Sequence, residues 1–334
     1  MNVGLLVAGA ALTTFVLMDL SVTASTAAGS GPLSRVLRRF VWWLLSALAR
    51  LIPSARSVAG ALTLALSLLS WLLGLLVGWT LVFSADPGAV VRADSLAVAD
   101  VWERLYFTGS TVFILGVGDY IPQGAGWQLT STAATLTGVL TLVLAICYLV
   151  PVSLGNMRLR SYAVVIHDLG STSQQMLMRG WDGSGFEQLS VRLRSLLLLV
   201  SEAEQEYRAN PVLHNFHTTS RRAAFAPSLA AMDEAILLLE SGVDESVRPH
   251  PMVLGPLRAA LDRFAAIAIT ELDPSTIAAP AATDLNALRR VGIPTVTDTE
   301  FQQAVETRDQ HRGRLAYLVQ RTGWNWSDAV ETSG

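Results

Sequence analysis

The chain has 334 residues, 51% of them hydrophobic and only 15% charged, with a mean hydropathy of +0.42 and a formal net charge of −3. Soluble domains carry roughly 25% charge, so this chain is not soluble throughout, and the absence of a basic stripe speaks against a nucleic-acid binder. The single cysteine, Cys147, lies in an apolar run, which excludes an intrachain disulfide and a cysteine-based zinc site; it reads as a small core or lipid-facing residue.

The charge deficit belongs to the first 155 residues, and the remainder has the character of a water-soluble helical protein. The first apolar segment runs from Val3 to about Ala24, with Asp19 as its one charge. It is long enough to cross a hydrocarbon core of about 30 Å. It lacks the basic start of a signal peptide, so a retained membrane helix over 1–24 is expected, although the small residues Ala24 to Ala28 mimic a cleavage site. After Gly29, Gly31 and Pro32, residues 33–53 place Arg35, Arg39, Ser46 and Arg50 on one helical face and Leu37, Phe40, Val41, Leu44, Leu48 and Leu51 on the other. The uncharged stretch is too short to span, and the pattern predicts an amphipathic helix in the membrane interface with its tryptophans at headgroup level.

Residues 57–84 carry no charge and would extend roughly 42 Å as a helix. An acidic loop follows, with Asp86, Asp94 and Asp100 against Arg92, and residues 129–152 form a third charge-free span. The basic residues between the first two spans (Arg35, Arg38, Arg39, Arg50, Arg56) and after the third (Arg158, Arg160) belong on the cytoplasmic side. The N-terminus and the 85–128 loop are then expected outside.

From residue 156 the pattern is that of an all-α domain of about six helices, without a strand pattern of useful length. Leu189, Leu193, Leu196, Leu197, Val200, Ala203 and Tyr207 keep helical spacing, as do Leu229, Met232, Ile236 and Leu239. Thr297 and Glu300 have the spacing of a capping box opening a last helix.

The segment Tyr106–Pro122 lies between two charge-free spans and is too short and too polar to cross. Carbonyls can replace the water around a cation only if successive peptide units face the same way. Glycine alternating with other residues permits that, and Gly116-Val117-Gly118 has this form. A preceding helix over about 98–113 would aim its carbonyl end at the membrane centre, which favours a cation.

Residues 57–152 resemble the two-helix pore domain of bacterial potassium channels: outer helix, pore helix, filter, inner helix. The family's filter, Thr-Val-Gly-Tyr-Gly-Asp, falls on Ile114, Leu115, Gly116, Val117, Gly118 and Asp119, with Pro122 matching a common proline and Phe107 an aromatic of the pore helix. Gly138 stands where the family often has its gating glycine. Two positions depart: Ile114 replaces the filter threonine and Val117 the tyrosine. Thr111 is placed to offer a hydroxyl behind the filter, and Ser110 removes the acidic clamp on Asp119 found in some relatives. The resemblance implies ion-binding carbonyls at Ile114, Leu115, Gly116, Val117 and Gly118, support from Asp119, Thr111 and Phe107, potassium as the permeant ion without an organic cofactor, and a homotetramer in the bacterial inner membrane. It implies a channel and not an enzyme. Two alternatives stand beside a potassium channel: a weakly selective monovalent cation channel, and a non-conducting sensor or scaffold that keeps the pore fold.

Weaker signals remain. Asp19 is either a functional intramembrane carboxylate or the partner of a neighbouring helix. Leu149 and Val150 are candidates for a hydrophobic gate, and Pro151 for a kink or the helix end. His214 and His217, three apart, suggest a surface or domain contact before half a metal site. Arg221 and Arg222 read as a solvated face. No nucleotide-binding, calcium-binding or voltage-sensing motif is present, so the C-terminal domain is left with sensing an unidentified ligand, assembling the tetramer or binding a protein.

Overall fold

The computed structural model describes residues 1–25, 31–48, 59–210, 212–213, 216–267 and 279–330. The chain divides into two units, Met1–Ile52 with Ala59–Ser153, and Pro53–Val58 with Leu154–Gly334.

The first unit contains α1 (Val3–Ser25), α2 (Pro32–Leu48), α3 (Ala59–Phe83), β1 (Val90–Arg92), α4 (Val101–Val112), β2 (Tyr120–Pro122) and the start of α5 (Ala125–Leu169). By length and composition α1, α3 and α5 are able to cross a membrane. Between apolar helices close packing substitutes for the hydrophobic effect, and small residues permit it. A Cβ on Gly9 of α1 would lie 2.5 Å from the Gly78 carbonyl of α3, so the two backbones meet there. The shared core includes Val16, Leu20, Trp71, Leu75, Phe83, Phe107 and Val112.

Asp19 ties three helices together. Its buried carboxyl group accepts hydrogen bonds from the Leu33 backbone N–H at 2.7 Å, the Ser34 hydroxyl at 2.7 Å and the Trp71 indole at 2.9 Å. The N–H groups of a helix's first turn have no partner within the helix, and α1 caps α2 across space. Of the two roles expected for Asp19, the structure displays the bond to neighbouring helices. On α2, Arg35 and Arg39 are exposed and Val41 is buried, while Phe40, Trp43 and Leu44 are exposed. Arg50, Leu51 and Arg56 lie outside the described residues.

The expectation that Pro151 kinks or ends the inner helix needs correcting as to the end: α5 continues past it to Leu169. Proline removes one N–H and crowds one carbonyl, and the regular helix on both sides carries it through. The strands were also not foreseen. Three residues each are too few to display alternation, yet β1 and β2 pair antiparallel, Val91 opposite Ile121.

In the second unit nine α-helices follow α5 among the described residues, more than the six expected. They are α6 (Ser173–Gly180), α7 (Glu187–Ser195), α8 (Leu197–Ala209), α9 (Phe225–Leu237), α10 (Pro251–Ile267), α11 (Asn286–Arg290), α12 (Asp298–Glu306), α13 (Asp309–Arg321) and α14 (Ser327–Val330). The apolar stripe from Leu189 to Tyr207 is one face of two helices, divided at Leu196. The Thr297–Glu300 capping box is formed, but it opens α12, with α13 and α14 still to come.

Every residue of α9 is buried, including Asp233 and Glu234, and each charge there is answered from another helix. Arg258 of α10 and His311 of α13 reach Asp233 Oδ1 at 2.7 and 3.0 Å, and Arg312 Nε donates to Glu234 Oε1 at 2.6 Å. Burial pushes the Asp233 carboxyl up, but His311 and Arg258 outweigh it and hold it well below the usual carboxylate range. Burial pushes Glu234 up against the opposing Arg312.

Two predictions follow from this packing. Asp19→Ala strands the buried Trp71 and Ser34 donors and is expected to cost about 2–3 kcal/mol, read as a lower melting midpoint in detergent. A carboxyl whose folded pKa is depressed contributes stability above its unfolded pKa of about 3.9 and loses it as pH falls through the folded value. Asp233→Asn should therefore flatten the decline of the melting midpoint below about pH 5 relative to the native chain.

Candidate functional site

The loop between α4 and β2 is built from the end of a helix. Asp100 and Glu103 form a complete capping box that starts α4. At its other end the carbonyl of Ser110 accepts the N–H of Leu115 at 2.8 Å, with that of Gly116 at 3.4 Å, which turns the chain back on the helix axis. Ile114, Gly116 and Gly118 then have φ values of 62°, 62° and 86°, and among residues 114–118 these alone are positive. Handedness thus alternates residue by residue. Alternation of this kind turns consecutive carbonyls toward one side, the arrangement that ion-coordinating backbone requires. A β-branched residue at positive φ is an outlier, and Ile114 is one. Its side chain is 54% exposed, Leu115 is 67% and Val117 46%, so the segment stands on the surface of the single chain.

Several contacts hold the loop. Tyr106, one side of whose ring packs edge-on against Tyr120, donates its hydroxyl to Asp119 Oδ2 at 3.2 Å. Tyr120 donates to Glu103 Oε1 at 2.7 Å, and Arg92 of β1 reaches the same oxygen at 3.3 Å. Partial desolvation and the Asp119 bond push the Tyr106 hydroxyl up, and the Glu103 bond does the same for Tyr120, so both remain donors at neutral pH. The Ala93 N–H donates to the Asp119 carbonyl at 2.9 Å, which joins the end of β1 to the loop's exit.

The residues singled out in the sequence are distributed as follows. Phe107 is buried and meets Phe83 edge-on at 5.1 Å, supporting α4 against α3 and not touching the loop through any ring contact. The Thr111 carbonyl takes a long bond of 3.4 Å from the Thr135 hydroxyl of α5. A Cβ on Gly138 would lie 2.0 Å from the Val112 carbonyl, so α5 crosses the end of α4 in backbone contact. Leu149 is half-buried, and Val150 and Pro151 are exposed. His214 lies outside the described residues, and His217 is buried. Among the described residues no cluster suits a metal ion. Arg221 is not part of a solvated face: it donates to the Ser171 carbonyl at 2.6 Å, the Ser228 hydroxyl at 3.0 Å and the Asp328 carbonyl at 3.1 Å.

Tyr106 was missed as a site residue. Its signal was weak: a hydroxyl thirteen positions before the carboxylate that it holds. The clamp on Asp119, expected to be lost with Ser110, is provided from this neighbouring turn.

Gly138→Ala must push α5 off α4. It is expected to cost about 1–3 kcal/mol, seen as a lower melting midpoint, whereas Gly255→Ala, with nothing within 4 Å of the new Cβ, should hold or raise it.

No protein-family model matches the chain, and no solved structure matches it. Over 327 residues it is 28% identical to the uncharacterized membrane protein YdjJ of Bacillus subtilis (strain 168), a likeness covering 98% of this chain and 96% of that protein. With three helices apolar enough to span, this chain is a mostly helical membrane protein.

Proposed function

We propose that the chain is the subunit of a potassium channel, four copies of which surround one axis with the carbonyls of Ile114, Leu115, Gly116, Val117 and Gly118. The observation that carries this reading is the alternating sign of φ at Ile114, Gly116 and Gly118. Strained backbone costs on the order of 1–3 kcal/mol per residue and persists where the surroundings over-determine it, typically at functional sites. Here Ala93 and Tyr106 hold Asp119 at the loop's exit, and Gly138 lies against Val112 just before its start. Non-helical backbone at membrane depth is tolerated where it is buried in protein or lines an aqueous path, and a loop whose residues 114–118 are exposed on the single chain fits the second case. One loop supplies one side of such a path, and copies of the chain supply the others.

The same reading puts the N-terminus and the loop outside, and the second unit in the cytoplasm, of a bacterial inner membrane, following the basic residues Arg35, Arg39, Arg158 and Arg160. It involves no organic cofactor and no catalytic step. A weakly selective monovalent cation pore is the second reading, favoured by Ile114, which brings no hydroxyl to the innermost position.

Reversal potential in planar bilayers under opposed potassium and sodium gradients tests the proposal. A reversal near the potassium equilibrium value is expected; a reversal near zero with current present selects the weakly selective pore. Gly118→Ala, at φ 86° and outside the narrow left-handed well open to residues with a Cβ, is expected to abolish current. Full current in that variant would remove this loop as the path, and a folded tetramer without wild-type current would favour a scaffold.

A further inference from the structure

Beyond Ser153, α5 belongs to the second unit, where Gly155, Arg158 and Tyr162 share one face at spacings of three and four. All three meet α8. Arg158 Nη1 donates to Glu206 Oε1 at 2.6 Å, and the Tyr162 hydroxyl donates to the Glu202 carboxylate one turn earlier in α8. A Cβ on Gly155 would lie 2.7 Å from Glu206 Oε2, so the glutamate lies directly against the α5 backbone. The later residue of α5 meets the earlier residue of α8, which makes the two pairs rungs of a ladder between antiparallel helices.

The other side of α8 is attached elsewhere. Buried Glu204 accepts from Arg208 at 3.0 Å and from Arg263 of α10 at 3.2 Å. Through Arg258, α10 is in turn paired with Asp233 on the central helix α9, and through Asp262 with Arg308. Helix α8 therefore has α5 on one side and the charged core of the unit on the other.

The two kinds of ion pair differ in what releasing them costs. Arg312 and Glu234 are wholly buried, and breaking them strands a charge. The Arg158 side chain is 61% exposed and that of Glu206 14%, so water can take over the hydrogen bonds of Arg158 and reaches part of the pair, and that rung costs less to open than the wholly buried ones.

We propose that this ladder is a releasable latch through which the second unit acts on the pore: α8 grips the helix that carries Gly138, and a shift of α8 against α10 reaches the pore by way of Arg158 and Tyr162. The inference rests on the pore reading above, and two measurements on the full chain keep them apart. Hydrogen exchange in detergent reads the latch without reference to current. Glu206→Arg is expected to speed exchange over residues 154–169, and the charge swap Arg158→Glu/Glu206→Arg to restore protection. Open probability in bilayers reads its effect. The single variant should change it by up to about fivefold, the range an exposed pair supports, and the swap should bring it back. Unchanged exchange in Glu206→Arg overturns the latch. Altered exchange with unaltered open probability in a conducting protein overturns its action on the pore. Altered exchange in Glu206→Arg together with a wild-type protein that carries no current removes the pore reading and the latch's action with it.

Discussion

A peptide group at membrane depth must have its N–H and C=O answered, by the protein, by water in a cavity or by what passes through. The loop from Ile114 to Gly118 has N–H groups returned to the end of α4, at the Ser110 carbonyl, and a backbone whose handedness alternates so that its carbonyls are not spent on one another. That form is unfavourable for a residue with a Cβ, and Ile114 adopts it. The rest of the first unit is arranged to pay this cost. The capping box sets where α4 begins, the β1–β2 pairing and Glu103 fix where the loop leaves, and Tyr106 holds Asp119 between them.

The same requirement acts on side chains. Asp19 is tolerated inside an apolar bundle because its oxygens are shared among the first turn of α2 and the indole of Trp71. In the second unit Asp233 and Glu234 occupy consecutive positions of a helix buried all round, and arginines from α10 and α13 reach in to meet them. Buried pairs of this kind are weak sources of net stability compared with apolar packing of equal volume. What they do provide is a penalty for any other arrangement of α9, α10 and α13, since each misplaced helix would strand a charge.

How much of this was legible in the sequence depends on the range of each interaction. Gly116 and Gly118 could be recognised because a backbone form that excludes most residues leaves its mark at the positions themselves. The Thr297–Glu300 box was legible for the same reason, as both partners lie within one turn. The paired strands were too short to show a period, and the role of Asp19 depends on Leu33, Ser34 and Trp71, which only the packed bundle brings together. Tyr106 and Asp119 are on opposite sides of a loop whose path had to be known first. Pro151 misled because its local rule describes the cost of one lost bond, and a long helix with regular turns on both sides absorbs that cost. Arg221 misled in the opposite direction: two adjacent arginines look like a solvated face, yet one is drawn inward by carbonyls from distant segments.

The unbroken course of α5 bears on how a pore of this kind would open. The proposed reading makes Gly138 a hinge, and that residue is in backbone contact with Val112, two positions before Ile114. Bending α5 at this point lifts it from the carbonyl on which it rests and loosens the end of α4. On the proposed reading, gate and filter are then mechanically joined, because the hinge of one is the floor of the other. A residue larger than glycine would separate the helices, so the contact that rests α5 on the end of α4, two positions before the strained loop, depends on this one missing side chain.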